Sequence, residues 1–198
     1  EWDKTFPQSD KVNHSKITFH NRYGITLAAD LYIPKNTEGK LPAIAISGPF
    51  GAVKEQSSGL YAQTLAERGF LTIAFDPSFT GESGGQPRSV ASPDINTEDF
   101  SAAVDYLATR DDVDAQRIGI LGICGFGGFA INAATESYRP GMIRAGDLML
   151  YGSSCVVLFY ETFSSGYSYT RLGRIDNPEG LSATVGGGNV TVSFIVNK

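Results

Sequence analysis

The chain has 198 residues and a net charge of −5, with no cluster of Lys and Arg along it; nucleic-acid phosphates need a cationic face, so a nucleic-acid role is excluded. Hydrophobic residues make up 41% and charged residues 19%, enough for a real core, while no apolar run is long enough to span a bilayer and no membrane partner is expected. Two cysteines, Cys124 and Cys155, are too few for a disulfide framework or a cysteine zinc site; no metal or cofactor is expected.

In chain order, Glu1-Trp2-Asp3-Lys4 carries neither the basic nor the apolar stretch of a signal peptide, and no initiator Met precedes it; a cytoplasmic location is the expectation. Residues 16–20 and 27–33 read as strands separated by a turn at 21–24. Residues 42–47 form a short apolar run, typical of a strand buried on both faces, and Gly48-Pro-Phe-Gly51 ends it as a loop. Ser58 can cap a helix through Arg68, with Gly69 as its stop. Residues 70–75 are the next buried strand, closed by Asp76-Pro77 and a Gly/Ser-rich loop through Gly85. Asn96 can cap a following helix, with Glu98 and Asp99 in its positive first turn. Phe100, Ala103, Val104, Leu107 and Ala108 then fall on one helical face. Residues 117–121 are another buried strand, and 125–134 the helix after it. Such alternation of continuously apolar strands with helices implies an α/β fold with a largely parallel sheet. Beyond Glu136 the pattern turns β-rich, with strands at 146–151, 155–161, 169–175 and 190–196, a short helix at 177–185, and a turn at 186–188.

The stretch Arg117-Ile-Gly-Ile-Leu-Gly-Ile-Cys124-Gly-Phe-Gly-Gly128 carries the most chemistry. A buried strand runs into a Gly-rich turn and then a helix, the order that a nucleophile elbow requires. A helix N-terminus beneath a thiol favours the thiolate. The Gly125 N–H points into the same space as half of an oxyanion hole. Pro49 has no N–H, so Phe50 or Gly51 is the better source of the other half. Phe126 departs from the G-x-S-x-G pattern, which has a small residue there. The competing reading of Cys124 is a buried structural thiol beside a glycine turn.

Residues 5–134 resemble α/β-hydrolase proteins related to dienelactone hydrolase, in particular a bacterial branch with Cys in the elbow. The segments that carry the resemblance are Asn21-Arg-Tyr-Gly-Ile-Thr-Leu-Ala-Ala-Asp-Leu-Tyr-Ile-Pro34, Ser47-Gly-Pro-Phe-Gly51, Ala74-Phe-Asp-Pro77, Thr80-Gly-Glu-Ser-Gly-Gly85, Ser92-Pro-Asp-Ile-Asn96 and Gly122-Ile-Cys-Gly125. The resemblance implies Cys124 as nucleophile toward an ester-type substrate, and structural roles for Asp76 and the 80–85 loop. It implies the strand order 1-2-4-3-5, with the catalytic acid and His after later strands. No His follows Cys124. His20 would lie four inter-strand steps, ~19 Å, from the elbow, and a nucleophile–base pair needs ~3 Å; His14 fares no better. Both histidines are expected at the surface or at a strand end.

The later residues resemble something else. Arg144-Ala-Gly-Asp-Leu-Met-Leu-Tyr-Gly152, Val156-Val-Leu-Phe-Tyr160, Tyr169-Thr-Arg-Leu-Gly-Arg-Ile-Asp176 and Gly188-Asn-Val-Thr-Val192 are similar to the second half of bacterial cyclophilin-like β-barrels. Two parts are therefore expected: 1–136, the front half of an incomplete α/β-hydrolase sheet, and 137–198, β-rich and cyclophilin-like. The strand before Cys124 becomes an open edge unless residues 146–151 pair with it, which makes a homo-oligomer or domain swap a reasonable partner arrangement. The functional readings are a Cys-dependent ester, thioester or lactone hydrolase; a non-catalytic scaffold binding a small molecule or partner; and a redox-sensing thiol, weakened by the lack of a resolving Cys nearby in sequence.

Overall fold

The computed structural model describes residues 2–136, 149–151, 155–158, 179–186 and 189–195. Strands β1 (Val12–His20) and β2 (Thr26–Pro34) form an antiparallel hairpin. Its turn is held by Asn21, whose side-chain oxygen accepts from the Tyr23 and Ile25 N–H groups at 3.1 and 2.9 Å, a local bond that Asn makes readily. There follow β3 (Leu41–Ser47), α1 (Ser57–Ala66), β4 (Leu71–Phe75), α2 (Pro93–Ala108), β5 (Val113–Ile123) and α3 (Phe126–Glu136). Four further strands are β6 (Met149–Tyr151), β7 (Cys155–Leu158), β8 (Glu179–Gly186) and β9 (Asn189–Ile195).

One sheet has the order β1-β2-β4-β3-β5-β7-β6, and β8 and β9 form a separate hairpin. The expected order 1-2-4-3-5 is met. The central strands β4, β3 and β5 are parallel, and those flanking them on both sides are antiparallel.

Period-2 alternation sends the apolar strand residues to two cores. Ala43 and Ala45 of β3, with Leu71, Ile73 and Phe75 of β4, meet Phe100, Ala103, Val104 and Leu107 of α2 and Ala130 and Ala133 of α3. Ile44 and Ile46, with Ala74 and Leu121, face Ala62 and Ala66 of α1 and Phe6 of the N-terminal arm. Because both faces are covered, these strands read as unbroken apolar runs. Each fully buried Ile or Leu contributes about 1.5–3 kcal/mol.

Four expectations change. Ser58 does not cap α1: Gln56 holds the N-cap position and Ser58 lies buried in the first turn. Helix α2 starts at Pro93, not after Asn96: Ser92 is the N-cap, and Pro suits the first turn because the N–H it lacks would have no helical partner. The Asn96 side chain instead accepts from the Ser92 N–H at 3.0 Å. Glu98 and Asp99 therefore sit in the second turn, buried and tied to the 21–24 turn and to Ser78. Of the helix expected at 177–185, the described residues 179–185 belong instead to β8, where Thr184 and Val185 face Thr191 and Val190 across the hairpin, pairs that favour a sheet. The edge of β5 is covered by β7, with β6 one strand further out. The expected strand at 169–175 lies outside the described residues.

Candidate active site

Strands β3 and β5 are parallel neighbours, with Ser47 opposite Gly122. Their C-terminal ends, and that of β4, therefore deliver the loops 48–56, 76–92 and 124–125 to one edge of the sheet. Cys124 falls between the last residue of β5 and the first turn of α3. Its φ is +59°, a left-handed conformation that an L side chain adopts only at a cost. The thiol is exposed.

What forces this turn is the approach of α3 to β5. Gly122 packs so closely under the helix that a Cβ there would collide with the Phe126 carbonyl and lie 2.8 Å from the Ala130 Cβ. The chain has to reverse direction within two residues, and Cys124 takes up the bend. Gly127 donates to the Cys124 carbonyl at 3.0 Å and Gly128 to the Gly125 carbonyl at 3.3 Å. The Gly125 N–H comes too early in the helix to have an intrahelical acceptor.

Phe50 is brought to the same place, side chain first. A Cβ on Gly125 would collide with the Phe50 ring, and that ring makes edge contacts with Phe126 at 4.9 Å and Phe129 at 5.6 Å. The large residue two after Cys124 is thereby explained: Phe126, the first residue of α3, is buried and completes an aromatic cluster with Phe100. Gly48 anchors the base of the loop, since a Cβ there would stand 2.5 Å from the Ile123 carbonyl oxygen.

Below this edge lie two buried carboxylates. Asp76 accepts from the Lys54 N–H at 2.7 Å, the Lys54 ammonium at 3.1 Å and the Glu82 N–H at 2.9 Å. Lys54 is fully buried and also meets Glu55 at 2.5 Å and Glu82 at 2.6 Å. Burial opposes the ammonium charge, but these carboxylates outweigh it and hold Lys54 above its ordinary range. Asp99 accepts from the Ser78 N–H, the Ser78 hydroxyl, Asn21 and Asn96 at 2.7–3.1 Å, and burial pushes its carboxyl up. Asp76 and Asp99 thus spend their oxygens on fastening the 76–85 loop. Lys54 carried no signal in the sequence, because a loop Lys is ordinarily solvated.

The histidines stay apart from Cys124. Both lie on β1, four strand steps from β5. His20 is exposed, as expected. His14 is not a plain surface residue: its Nε2 lies 2.8 Å from the buried Asp30 carboxylate, and its ring packs against Trp2 and Tyr32. Lys4 binds the other Asp30 oxygen at 2.9 Å. A cavity of about 400 Å³ opens beside the Cys124 turn, lined by Phe50, Val53, Phe79, Val90 and Phe126 among others.

A strand–turn–helix at the carboxyl edge of parallel strands ordered 4-3-5, with an antiparallel hairpin beside β4 and helices on both faces, defines an α/β hydrolase fold. The chain belongs to the X-Pro dipeptidyl-peptidase (S15) family, whose model matches residues 23–144. A second model, of the cyclophilin-like family, matches residues 127–195 and overlaps the first across α3. The chain is 73% identical over 140 residues to the uncharacterized Pseudomonas aeruginosa protein PA2218, covering 70% of this chain and 38% of that one. The PA2218 crystal structure superposes with a TM-score of 0.68, over 69% of this chain and 43% of its own. A thiohydrolase of Aspergillus aculeatus, aneE, is 31% identical over 68% of this chain and 42% of its own length. The α/β hydrolase GrgF from Penicillium is 25% identical with a TM-score of 0.58, over 63% of this chain and 42% of that one. The chain thus spans roughly 40% of the length of the relatives it matches. Among the described residues no helix is long and apolar enough to cross a membrane.

Proposed function

We propose that the β5–α3 turn is a nucleophile elbow and that Cys124 is the nucleophile of an ester-, thioester- or lactone-cleaving hydrolase related to dienelactone hydrolase. The observation that carries this is an exposed thiol on a left-handed residue, where a central strand meets a helix. Sγ attacks the carbonyl carbon, the S–C bond forms, the C–O or C–S bond of the substrate breaks, and the thiol proton leaves with the alcohol or thiol. The Gly125 N–H and the Phe50 N–H are the oxyanion donors in this reading. The thiohydrolase name of one relative favours thioesters among the three bond types.

Deacylation needs a base to activate water, and neither His14 nor His20 reaches from β1. That separation favours a second reading, a non-catalytic scaffold that binds a small molecule or a partner. S-phenyl thioacetate separates the two. The hydrolase reading predicts thiophenol release that is lost in Cys124→Ala: continuing if a base reaches the acyl group, stopping after one equivalent if none does. Equal release by both proteins would leave the scaffold reading.

In the same proposal residues 1–136 are the hydrolase part and 137–198 the cyclophilin-like part, in a cytoplasmic protein. Open strand edges are covered by a homo-oligomer or domain swap. Light scattering behind size exclusion that returned a monomer at every concentration would rule that arrangement out.

A further inference from the structure

The cavity beside the elbow and the ring over Gly125 share one residue, Phe50. The ring packs against Gly125, where a Cβ would collide with it, and so borders the space that a substrate carbonyl would have to enter to reach the Gly125 N–H. The ring is covered on one side only: Phe50 is 50% exposed. Its loop is rooted at Gly48, pressed against the Ile123 carbonyl, but a Cβ added at Gly51 meets nothing within 4 Å. A fixed root and a free tip let the side chain turn without disturbing β3.

The cavity behind it has the size of a small-molecule site. Val53, Phe79, Val90 and Phe126 line its apolar side, and Thr80, Ser89 and Asn96 its polar side. Phe79 is itself held at φ +73° by hydrogen bonds from its N–H to Gly84 and from the Ser89 N–H to its carbonyl. The one cation on the wall, Arg88, donates to the Ser83, Gly85 and Gly81 carbonyls and is committed to its own loop. The apolar side suits an uncharged acyl chain, with no free cation among the described residues of the wall to draw an acid.

We propose that Phe50 is an aromatic gate which swings off Gly125 to admit the acyl group of the substrate into this cavity, so that the site takes esters or thioesters of extended apolar acids. The inference rests on the reading of Cys124 as nucleophile. The ring contacts that Phe50 gives up with Phe126 and Phe129 are replaced by contacts with the acyl chain, whereas an acetyl group is too short to replace them.

The test compares acylation of Cys124 by p-nitrophenyl octanoate and p-nitrophenyl acetate in wild type, Phe50→Ala and Val90→Trp. In each case the Sγ–C bond forms, the ester C–O bond breaks, p-nitrophenolate leaves and the thiol proton passes to solvent. Rates are normalised to iodoacetamide alkylation of the same sample, which needs no oxyanion hole, and circular dichroism verifies folding. The expected result is that Phe50→Ala raises the rate of acylation by both esters about tenfold or more, and that Val90→Trp lowers the octanoate-to-acetate ratio about tenfold. Rates unchanged in folded Phe50→Ala, or a ratio unchanged in folded Val90→Trp, with acylation still proceeding, would overturn the gated acyl site and leave the nucleophile standing. Iodoacetamide labelling of Cys124 without acylation by either ester in any variant would overturn both.

Discussion

Cys124 is where backbone and chemistry are tied together. Its φ of +59° costs an L side chain about 1–2 kcal/mol, a cost that glycine escapes. Cys124→Gly is therefore expected to be about 1 kcal/mol more stable than Cys124→Ala, as read by urea denaturation, because Ala keeps the strain and Gly removes it. Equal stabilities, or a more stable Ala variant, would mean that the turn is not strained as described. The position of this turn was legible in the sequence, since Gly122 and Gly125 frame it and a buried strand precedes it. The placement of the Phe50 ring over Gly125 was not, because a loop of Gly, Pro and Phe does not encode where its ring lands. Neither was the burial of Lys54, which depends on Asp76, Glu55 and Glu82 converging from distant positions.

At the scale of elements, the apolar runs at β3, β4 and β5 and the 3.6-residue stripe of α2 were readable directly, since each is fixed by its own periodicity. The start of α2 was misread because two capping signals compete within five residues: Pro93 after Ser92 fits the first turn, and Asn96 serves as a side-chain acceptor one turn later. The 177–185 segment was misread because strand pairing with β9 outweighs a local pattern. Asp30 shows a further non-local effect. It lies on β2, fully buried, and joins His14 of β1 to Lys4 of the N-terminal arm. Burial pushes its carboxyl upward, but the hydrogen bonds from His14 and Lys4 outweigh burial and hold it below the ordinary carboxylate value. A carboxyl depressed in the folded state stabilises the fold above its unfolded pKa of about 3.9 and loses that contribution as pH falls through the folded value. Asp30→Asn is therefore expected to cost about 1–3 kcal/mol at pH 7, because it removes the buried carboxylate that His14 and Lys4 meet, while Lys4 keeps its contact with Asp3 at 2.5 Å. The gap to wild type should narrow below pH 4 in urea melts recorded across the acid range. A gap independent of pH would show that Asp30 does not act through its charge.

For the whole molecule, the strand order 1-2-4-3-5 follows from short right-handed connections and from which strands are buried on both faces. That order separates the chemistry: it brings Cys124, Gly125 and Phe50 to one edge and leaves both histidines four strands away. The neighbour of β5 was not legible, because a short strand such as β7 has too little pattern to choose its partner. The account as a whole stands on Cys124 forming an acyl bond. The direct measurement is intact-protein and peptide mass spectrometry after exposure to p-nitrophenyl acetate, with Cys124→Ala alongside. In samples acid-quenched during the reaction, the account predicts one acetyl group per chain, located on Cys124 and missing in the variant; an unmodified Cys124 with no Cys124-dependent nitrophenolate release, or acetylation of other residues to the same extent in both proteins, would contradict it.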